Sequence, residues 1–456
     1  MAETYINDLT PFKIDKRVVV SAINKHLIYD VPRIRELHGY YKANHEILNR
    51  QDRPNKPNNK LVCSHPSKIT DTAVAYFLGN PVTLLDDDID VQEAITAILK
   101  SNDFDDLLLE VGKECSIAGK SGMLAYQDEE GITNLMQIPA EELFYITDTK
   151  RKKIFTARIY SLLTEYDITV REDIYAVEIY TDKEVYYFMY DGDLVPDARY
   201  DNHIVPHIFK ANPLIVFQNN REEQGDFEKV LGLIDAYDKL MSDTSNEHEA
   251  YRNAYLMLKN LMMTPEASSA LSAGGTIEVG EDGDAKFITK TIQDTAITAH
   301  LNKLQEDIHN FTDIPNMSDQ SFAQNLSGVS IQYKLIGLEN KCIIKESKFK
   351  KALYQLCKAL NGVLKLTIGK EVNIPLLKIQ FTRNLPQNLQ DIADLINKLD
   401  GFVDRETLLT LLPFVENPQL ILEKLEEESP VGDFTNPAEQ DEETLTEEEV
   451  VGVVTE

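Results

Sequence analysis

Three long runs of helix-type apolar spacing limit what this chain can fold into. The first extends from Gly225 to Asn260, and its apolar residues recur every three or four positions in two successive stripes. The stripes comprise Phe227, Val230, Leu231, Ile234, Tyr237 and Leu240, then Tyr251, Ala254, Tyr255 and Leu258. One unbroken helix here would be a rod roughly 50 Å long, because an α-helix rises 1.5 Å per residue. The polar segment SDTSNEHE in its middle is expected to face solvent or a neighbouring subunit without ending the helix.

The second run extends from Asp294 to Phe311, and the third, after a further break, continues to Leu364. The second run places Ile297, Leu301, Leu304, Ile308 and Phe311 on one helix face. The third is basic on one side, through Lys341, Lys345, Lys348, Lys350, Lys351 and Lys358. Both runs predict long helices.

A compact excursion separates the first two runs. Thr264 as N-cap, Pro265 at the first helical position and Glu266 in the first turn predict a short helix. The following TIEVGEDGDAKFIT predicts a hairpin of two short strands around the turn Glu281-Asp282-Gly283. A small helix-plus-hairpin unit is therefore expected between two long helices.

The second break, residues 313–328, is polar and lies far from both ends of the chain. Pro315 limits helix continuation at Ile314, while Asn316, Ser318 and Asp319 favour turns. Ser327 and Gly328 then provide a cap and a flexible start for the next helix. Long polar connections inside compact domains are uncommon and are usually functional or disordered.

The rest of the sequence predicts an α+β fold. Helical spacing over 31–50, 66–78, 90–100 and 103–119 is followed, from about Met123, by alternating Tyr-, Ile- and Val-rich segments. MLAYQDEEGITNLMQI reads as a hairpin, and strands are expected in FTARIYSL, YAVEIYTDKEVYYFMYDGD, NPLIVFQ and LKIQFTR. Strands grouped after helices favour α+β over a βαβ arrangement.

Length, net charge and cysteine content exclude some classes of protein. The chain has 456 residues, enough for two to four lobes, and a formal charge of −30, which argues against a protein that wraps duplex DNA with basic side chains. Residues 426–456 contain twelve acidic side chains and no basic one, so a disordered tail is expected. Four scattered cysteines indicate reduced thiols in a cytoplasm, and no apolar run is long enough to span a bilayer.

Candidate enzyme motifs fail on their spacing. AGKSG lacks the upstream glycine of a phosphate-binding loop and is expected to be a turn before a strand. Pro206 prevents His203 and His207 from sharing a helix face, and the acidic residues from Asp86 to Asp90 lack the glycine and terminal glutamate of a calcium loop. The sequence therefore predicts no catalytic residue, metal site or cofactor.

Five stretches in a fixed order, taken together, carry a resemblance to a known family. They are YYKANHEILNR, PSKITDTAVAYFLGNPV, LIDAYDKLMSDTSNE, IPNMSDQSFAQNLSGVSIQYKLIGLE and DRETLLTLLPFVENP. The chain from about residue 30 to 428 resembles the portal proteins of tailed double-stranded DNA bacteriophages, of the type found in long-tailed phages of Gram-positive hosts.

The resemblance implies a mainly helical, ring-forming α+β portal fold with twelve copies in the ring. The implied parts are an α/β wing with a helical and a β-rich part (1–224), a stem helix (225–260), a small α-plus-hairpin clip (261–293), a second stem helix (294–312), a tunnel loop (313–328), a long wing helix with a strand (329–387), a helical crown (388–425) and an acidic disordered tail (426–456).

The resemblance also implies candidate site residues. The tunnel loop is expected to face DNA through Asn316, Ser318, Gln320, Gln324, Asn325, Ser327 and Gly328, because amide and hydroxyl groups bind phosphates without reading bases. The clip is expected to bind partners through Thr264, Glu266, Glu278, Glu281, Asp282 and Lys286. Lys341, Lys345 and Lys348 are expected to contact DNA or to pair with acidic groups of a neighbouring subunit, and the sequence leaves both open.

The implied function is a ring at one capsid vertex through which double-stranded DNA is packaged and ejected without sequence specificity. The implied partners are the terminase large subunit, a head-completion or connector protein, and the major capsid and scaffolding proteins. The implied location is the virion, after assembly in the host bacterial cytoplasm. The alternative is a soluble enzyme or regulator of unrecognised chemistry with a helical-hairpin insertion. The long apolar stripes favour the ring, which would bury them.

Overall fold

The computed structural model describes residues 5–6, 15–52, 56–162, 174–251, 255–259, 284–288, 294–317 and 328–384, together with 393, 396–399, 401–410, 412, 415 and 421–422. The chain divides into two compact units, Met1–Asn384 and Leu385–Glu456.

The first unit begins with a layer of helices. They are α1 (Lys16–Lys25), a π-helical turn (His26–Asp30), α2 (Val31–Tyr41), α3 (His65–Leu78), α4 (Ile89–Ser101) and α5 (Phe104–Ala118). The helix expected over 31–50 ends early, because Ala43 takes a positive φ of 61° and residues 46–49 form a separate 3-10 turn. Asp88 caps α4 by accepting from the backbone N–H groups of Asp90 and Val91, which explains the acidic run before this helix.

Two sheets follow the helices. The strands of the larger sheet lie in the order β1 (Tyr5–Ile6), β5 (Leu143–Asp148), β6 (Lys153–Ser161), β7 (Tyr175–Tyr180), β8 (Glu184–Tyr190) and β10 (Ile204–Pro206), and β9 (Leu194–Pro196) also pairs with β8. The smaller sheet has the order β11 (Leu214–Gln218), β3 (Lys120–Gln127) and β4 (Thr133–Ile138). The predicted hairpin is present, with Gly122 opposite Ile138 and Gln127 opposite Thr133.

The sheets pack against each other and against α1. One core cluster joins Leu143, Tyr180 and Val185 of the larger sheet to Leu124 and Val216 of the smaller one. A second cluster packs α1 against the other part of the larger sheet, through Val19, Ala22, Ile23, Phe155, Val177 and Ile179. These packed layers confirm the α+β class.

Three long helices complete the first unit. They are α6 (Leu231–Tyr251), α7 (Asp294–Thr312) and α8 (Gly328–Thr367), the last being 40 residues long. The α8 helix packs on the smaller sheet, where the rings of Phe349 and Phe217 lie 5.2 Å apart between centroids. A short strand, β14 (Lys378–Gln380), pairs with β2 (Thr83–Leu85) beside α3.

The expectation of one helix from Gly225 to Asn260 is wrong. The α6 helix ends at Tyr251, and β12 (Tyr255–Lys259) pairs antiparallel with β13 (Asp284–Ile288). The sequence YLMLK suits either structure, and pairing with a strand nearly thirty residues away decides the outcome. The second unit contains α9 (Arg405–Thr410), where the Asp404 carboxylate accepts from the Thr407 N–H at 3.0 Å.

The AGKSG turn makes a close backbone contact that only glycine permits. Gly119 ends α5 with a φ of +90°, and a Cβ there would lie 2.0 Å from the carbonyl oxygen of Glu223. Gly131, in the hairpin turn, also has a positive φ of +79°, but a Cβ there would meet nothing within 4 Å.

We predict that Gly119→Ala lowers the free energy of unfolding by several kcal/mol, whereas Gly131→Ala lowers it by about 1 kcal/mol. Both changes strain the backbone, but only the first forces the Glu223 segment away from α5. Urea denaturation of both variants measures the difference, and equal losses would contradict the close contact.

Candidate functional site

The loop that connects β11 to α6, residues 219–230, carries three carboxylates into the interior. We call it the root loop because the first long helix begins at its end. Glu223 is 5% exposed and Asp226 is 3% exposed, while Glu228 is partly buried. Each carboxylate pairs with a different element of the first unit.

Asp226 holds the root loop against α8 and α5. Its carboxylate pairs with the Lys345 ammonium group and, at 3.1 Å, with that of Lys341. The Ser116 hydroxyl and, at 3.0 Å, the Asn219 amide donate to the same carboxylate. Burial opposes ionisation of Asp226, but the two lysines and these hydrogen bonds hold its pKa below the usual range.

Glu223 connects the root loop to both sheets. Lys120 of β3 lies 3.7 Å from its carboxylate, the Tyr145 hydroxyl donates to it, and the Gln218 amide donates at 2.7 Å. Burial raises the pKa of Glu223, but Lys120 and the hydrogen bonds from Tyr145 and Gln218 outweigh it, so the pKa is lowered. The carboxylate therefore stays ionised at neutral pH.

Glu228 connects the root loop to α2. The Arg33 guanidinium donates to it through Nε at 2.6 Å and Nη2 at 2.5 Å, a bidentate geometry. The same Nη2 also donates to the Glu223 carbonyl oxygen at 2.9 Å. The start of α6 is thus fixed by three charge pairs with three different elements.

The polar face of α6 continues this attachment. Asp235 accepts from the Tyr40 hydroxyl at 2.8 Å, and Asp238, fully buried, pairs with His45 at 2.5 Å. Further along, Ser242 accepts from the Leu61 N–H at 2.9 Å, Asn246 accepts from the Asn59 N–H at 2.6 Å, and Asp243 pairs with Arg50. The first part of SDTSNEHE therefore contacts residues 50–61 of its own chain, which corrects the expectation of solvent or a neighbouring subunit.

The structure gives the three candidate lysines different roles. Lys345 is 4% exposed and ion-paired within its own chain, so neither DNA contact nor intersubunit pairing is available to it, and that prediction is wrong. Lys341 pairs with Asp226 and also donates to the Thr312 carbonyl at 2.9 Å. Lys348 remains half-buried near Lys153, whose pKa is lowered to about 7 by burial and by the neighbouring lysines, Lys348 among them.

The other predicted site residues fall mostly outside the described part of the chain. In the predicted tunnel loop, Asn316 accepts from the Lys68 ammonium group at 2.9 Å, and Gly328 is the first residue of α8. In the predicted clip, Lys286 lies in β13 opposite Met257 of β12. The candidates outside the described residues are Ser318, Gln320, Gln324, Asn325, Ser327, Thr264, Glu266, Glu278, Glu281 and Asp282.

Two histidines, His65 half-buried and His309 buried, meet where α3, α6 and α7 converge. The rings of His65 and His309 lie 6.1 Å apart between centroids, and His65 also meets the edge of the Tyr237 ring at 4.8 Å. Among the described residues, the Nε2 atoms of both histidines have no hydrogen-bond partner. Burial, together with the neighbouring His309, lowers the pKa of His65 to about 4.

Within the described residues, no three His, Cys, Asp or Glu side chains are grouped as a metal site would require. None of the helices described there has the length and apolarity needed to cross a membrane. The polar groups at the root loop act on one another, and their arrangement positions helices.

We predict that Asp226→Asn destabilises the chain more than Lys345→Met does. Losing the carboxylate leaves two lysines unpaired near the core, which costs roughly 3–5 kcal/mol, whereas losing Lys345 leaves Asp226 paired with Lys341. Chemical denaturation measures both. Lys303→Met at an exposed ion pair is the control and is expected to cost under about 1 kcal/mol. A larger loss of unfolding free energy for Lys345→Met than for Asp226→Asn would contradict the prediction that Asp226 is shared by both lysines.

We also predict that His65→Gln makes the free energy of unfolding depend less steeply on pH below about pH 6.5. Between about pH 6.5 and 4 the unfolded chain binds a proton at His65 that the folded chain excludes, so the free energy of unfolding decreases as the pH is lowered through this window. Removing this group should reduce the slope by up to about 1.4 kcal/mol per pH unit. Denaturation at several pH values measures it, with His203→Gln as the matched control. An unchanged slope for His65→Gln would contradict the prediction.

Comparisons with known proteins test the resemblance to the phage portal proteins. A sequence model of the family described as "Phage portal protein, SPP1 Gp6-like" matches residues 21–430. The portal protein of Bacillus phage SPP1 is 27% identical over 390 residues, which is 82% of this chain and 76% of that protein. The portal protein of Clostridium phage phiCD119 is 24% identical over 411 residues, which is 84% of this chain and 90% of that protein.

Two of the solved structures that the chain matches come from gene transfer agents. One is the neck of a native particle computed with C12 symmetry, with a TM-score of 0.47 and 9% identity over 88% of this chain and 100% of the other. Another is the virion of a native particle, with a TM-score of 0.46 and 10% identity over 83% of this chain and 92% of the other. Because the family match covers most of its sequence, this chain belongs to the phage portal proteins of the SPP1 Gp6-like family.

Proposed function

We propose that this chain forms the ring at one capsid vertex of a tailed phage through which double-stranded DNA enters and leaves. Membership of the portal family across residues 21–430 carries the proposal. The three long helices support it, because a channel wall needs long elements held at defined angles. Buried ion pairs join the start of α6 to α8. The role is structural, and no catalytic step is assigned.

The parts of a portal subunit are assigned by order along the chain. The sheets and helices up to the root loop form the wing, and α6 and α7 form the stem. The segment between them, residues 252–293, forms the clip, which contains the β12–β13 pair. The α8 helix returns to the wing, and residues from about 388 to 425 form the crown. This assignment shortens the first stem helix to the end of α6.

The acidic charge of the chain supports a channel through which DNA passes, rather than a surface that binds DNA. The chain carries 76 acidic and 46 basic side chains, and Lys345, Lys341, Lys120 and Arg33 are neutralised by carboxylates of the root loop. A ring of such chains repels phosphates weakly from all sides, whereas a basic groove would bind them. The tunnel loop, residues 313–328, is then the segment that meets DNA, through polar uncharged side chains.

The clip is proposed to bind first the terminase large subunit and later a head-completion or connector protein. Its place between two stem helices puts it at the narrow end of the ring. The major capsid and scaffolding proteins contact the rest of the ring, which assembles in the host cytoplasm and remains in the virion.

Deletion of Gly280–Gly283 tests the proposal. These residues precede β13, so the deletion leaves Asp284 opposite Lys259 and keeps the described strand pair. The expected result is normal rings by negative-stain imaging and loss of DNA filling in a packaging assay with terminase and procapsids.

Deletion of Glu447–Val450 in the acidic tail is the length-matched control and is expected to leave both rings and packaging intact. Wild-type chain that stays monomeric at micromolar concentration and under capsid-assembly conditions would overturn the ring. Normal DNA filling by the Gly280–Gly283 deletion would overturn the clip assignment alone.

A further inference from the structure

The α8 helix exposes an apolar face that no other described residue covers. Tyr333 is 72% exposed, Ile336 is 58% exposed, and Ile343 and Ile344 are each 54% exposed. Their spacing of three, seven and eight residues keeps them on one side of the helix. The opposite side is buried in the chain through Leu335, Leu338, Cys342, Phe349, Leu353 and Leu356.

The same outward face becomes cationic further along the helix. A groove of about 600 Å³ lies there against the 371–376 segment. Ile343, Tyr354 and Ile374 supply its apolar lining, and Lys350, Lys351 and Lys358 rim it. Of these lysines, only Lys350 has a carboxylate partner among the described residues, Glu346 at 2.7 Å. Taken from Tyr333 to Lys358, the outward face is roughly 37 Å long at 1.5 Å per residue.

We infer that this outward face of α8 is the surface on which the next copy of this chain docks. The inference rests on the ring proposed above and specifies where its subunits meet. The apolar half excludes water from the contact, and the lysine-rimmed half attracts a partner with excess carboxylates. A second copy, with 30 more acidic than basic side chains, has that charge.

The dimensions fit part of a subunit contact. A strip 37 Å long on a helix about 10 Å wide offers roughly 400 Å², about half of the 800 Å² that one partner commonly contributes. The contact in a ring is heterologous, so this face meets a different surface of the next copy. DNA does not suit the apolar half, because Ile336, Ile343 and Ile344 give phosphates no donor and no positive charge.

The test compares Ile343→Asp with Leu366→Asp. Leu366 is also on α8 and is 72% exposed, but it lies beyond the groove, so it controls for adding a charge to an exposed apolar position. Native mass spectrometry over a concentration series is expected to show Leu366→Asp forming rings like wild type. Ile343→Asp is expected to need at least about tenfold more protein, because its carboxylate would be buried in an apolar contact. Circular dichroism checks that both variants are folded.

A charge reversal tests the lysine-rimmed half. Lys351→Glu is expected to weaken assembly at 0.1 M salt, and its difference from wild type should shrink as salt approaches 1 M, because screening shortens the reach of the charge. A photo-crosslinking residue at position 343 is expected to yield adducts of twice the chain mass in wild-type-like rings.

Three outcomes separate the proposals. Wild-type protein that never forms rings overturns the ring and the docking surface together. Rings formed by Ile343→Asp at wild-type concentrations overturn the docking surface and leave the ring intact. Crosslinks confined to a single chain, with rings present, show that another segment of the same chain covers α8 and also overturn the docking surface.

Discussion

The buried ion pair between Asp226 and two lysines of α8 fixes the geometry on which the rest of this structure depends. It joins the root of α6, the end of α5 and the middle of α8 at one point. Removing a carboxylate and two ammonium groups from water costs several kcal/mol for each ion, and only close pairing and further hydrogen bonds offset it. Such a contact forms only where the charged groups meet at close range, so it joins these helices to one another at this point.

Polar contacts also hold α6 along its length. Asp235, Asp238, Ser242 and Asn246 recur at helical spacing and face α2 and the 40–61 segment, so this long helix is held by directional bonds as well as by its apolar stripe. These bonds fix one side of α6 to the N-terminal helical layer. The outward face of α8 is left apolar and cationic, which is the condition that makes a neighbouring copy its expected partner.

Much of the element pattern could be read from the sequence because it depends on local periodicity. The helices α3, α4, α5, α7 and α8, the β3–β4 hairpin and the Gly119 turn all follow from spacing, capping and turn residues. The family resemblance also required only the order of sequence phrases. Two long-range effects escaped prediction. β12 is a strand because β13 pairs with it, and Lys345 is buried because Asp226 meets it from more than a hundred positions away.

By itself, therefore, the sequence determined the class of fold, the long helices, the acid excess and the family, since each is encoded in local spacing or composition. Only the tertiary structure decided which charged side chains are buried and paired with others of the same chain. The carboxylates of the root loop look like solvated loop residues in the sequence, because nothing local reveals that three elements bring Arg33, Lys120 and Lys345 to them. Electrostatic pairing acts through space, so the partner of a buried charge is fixed by the packing of the whole chain.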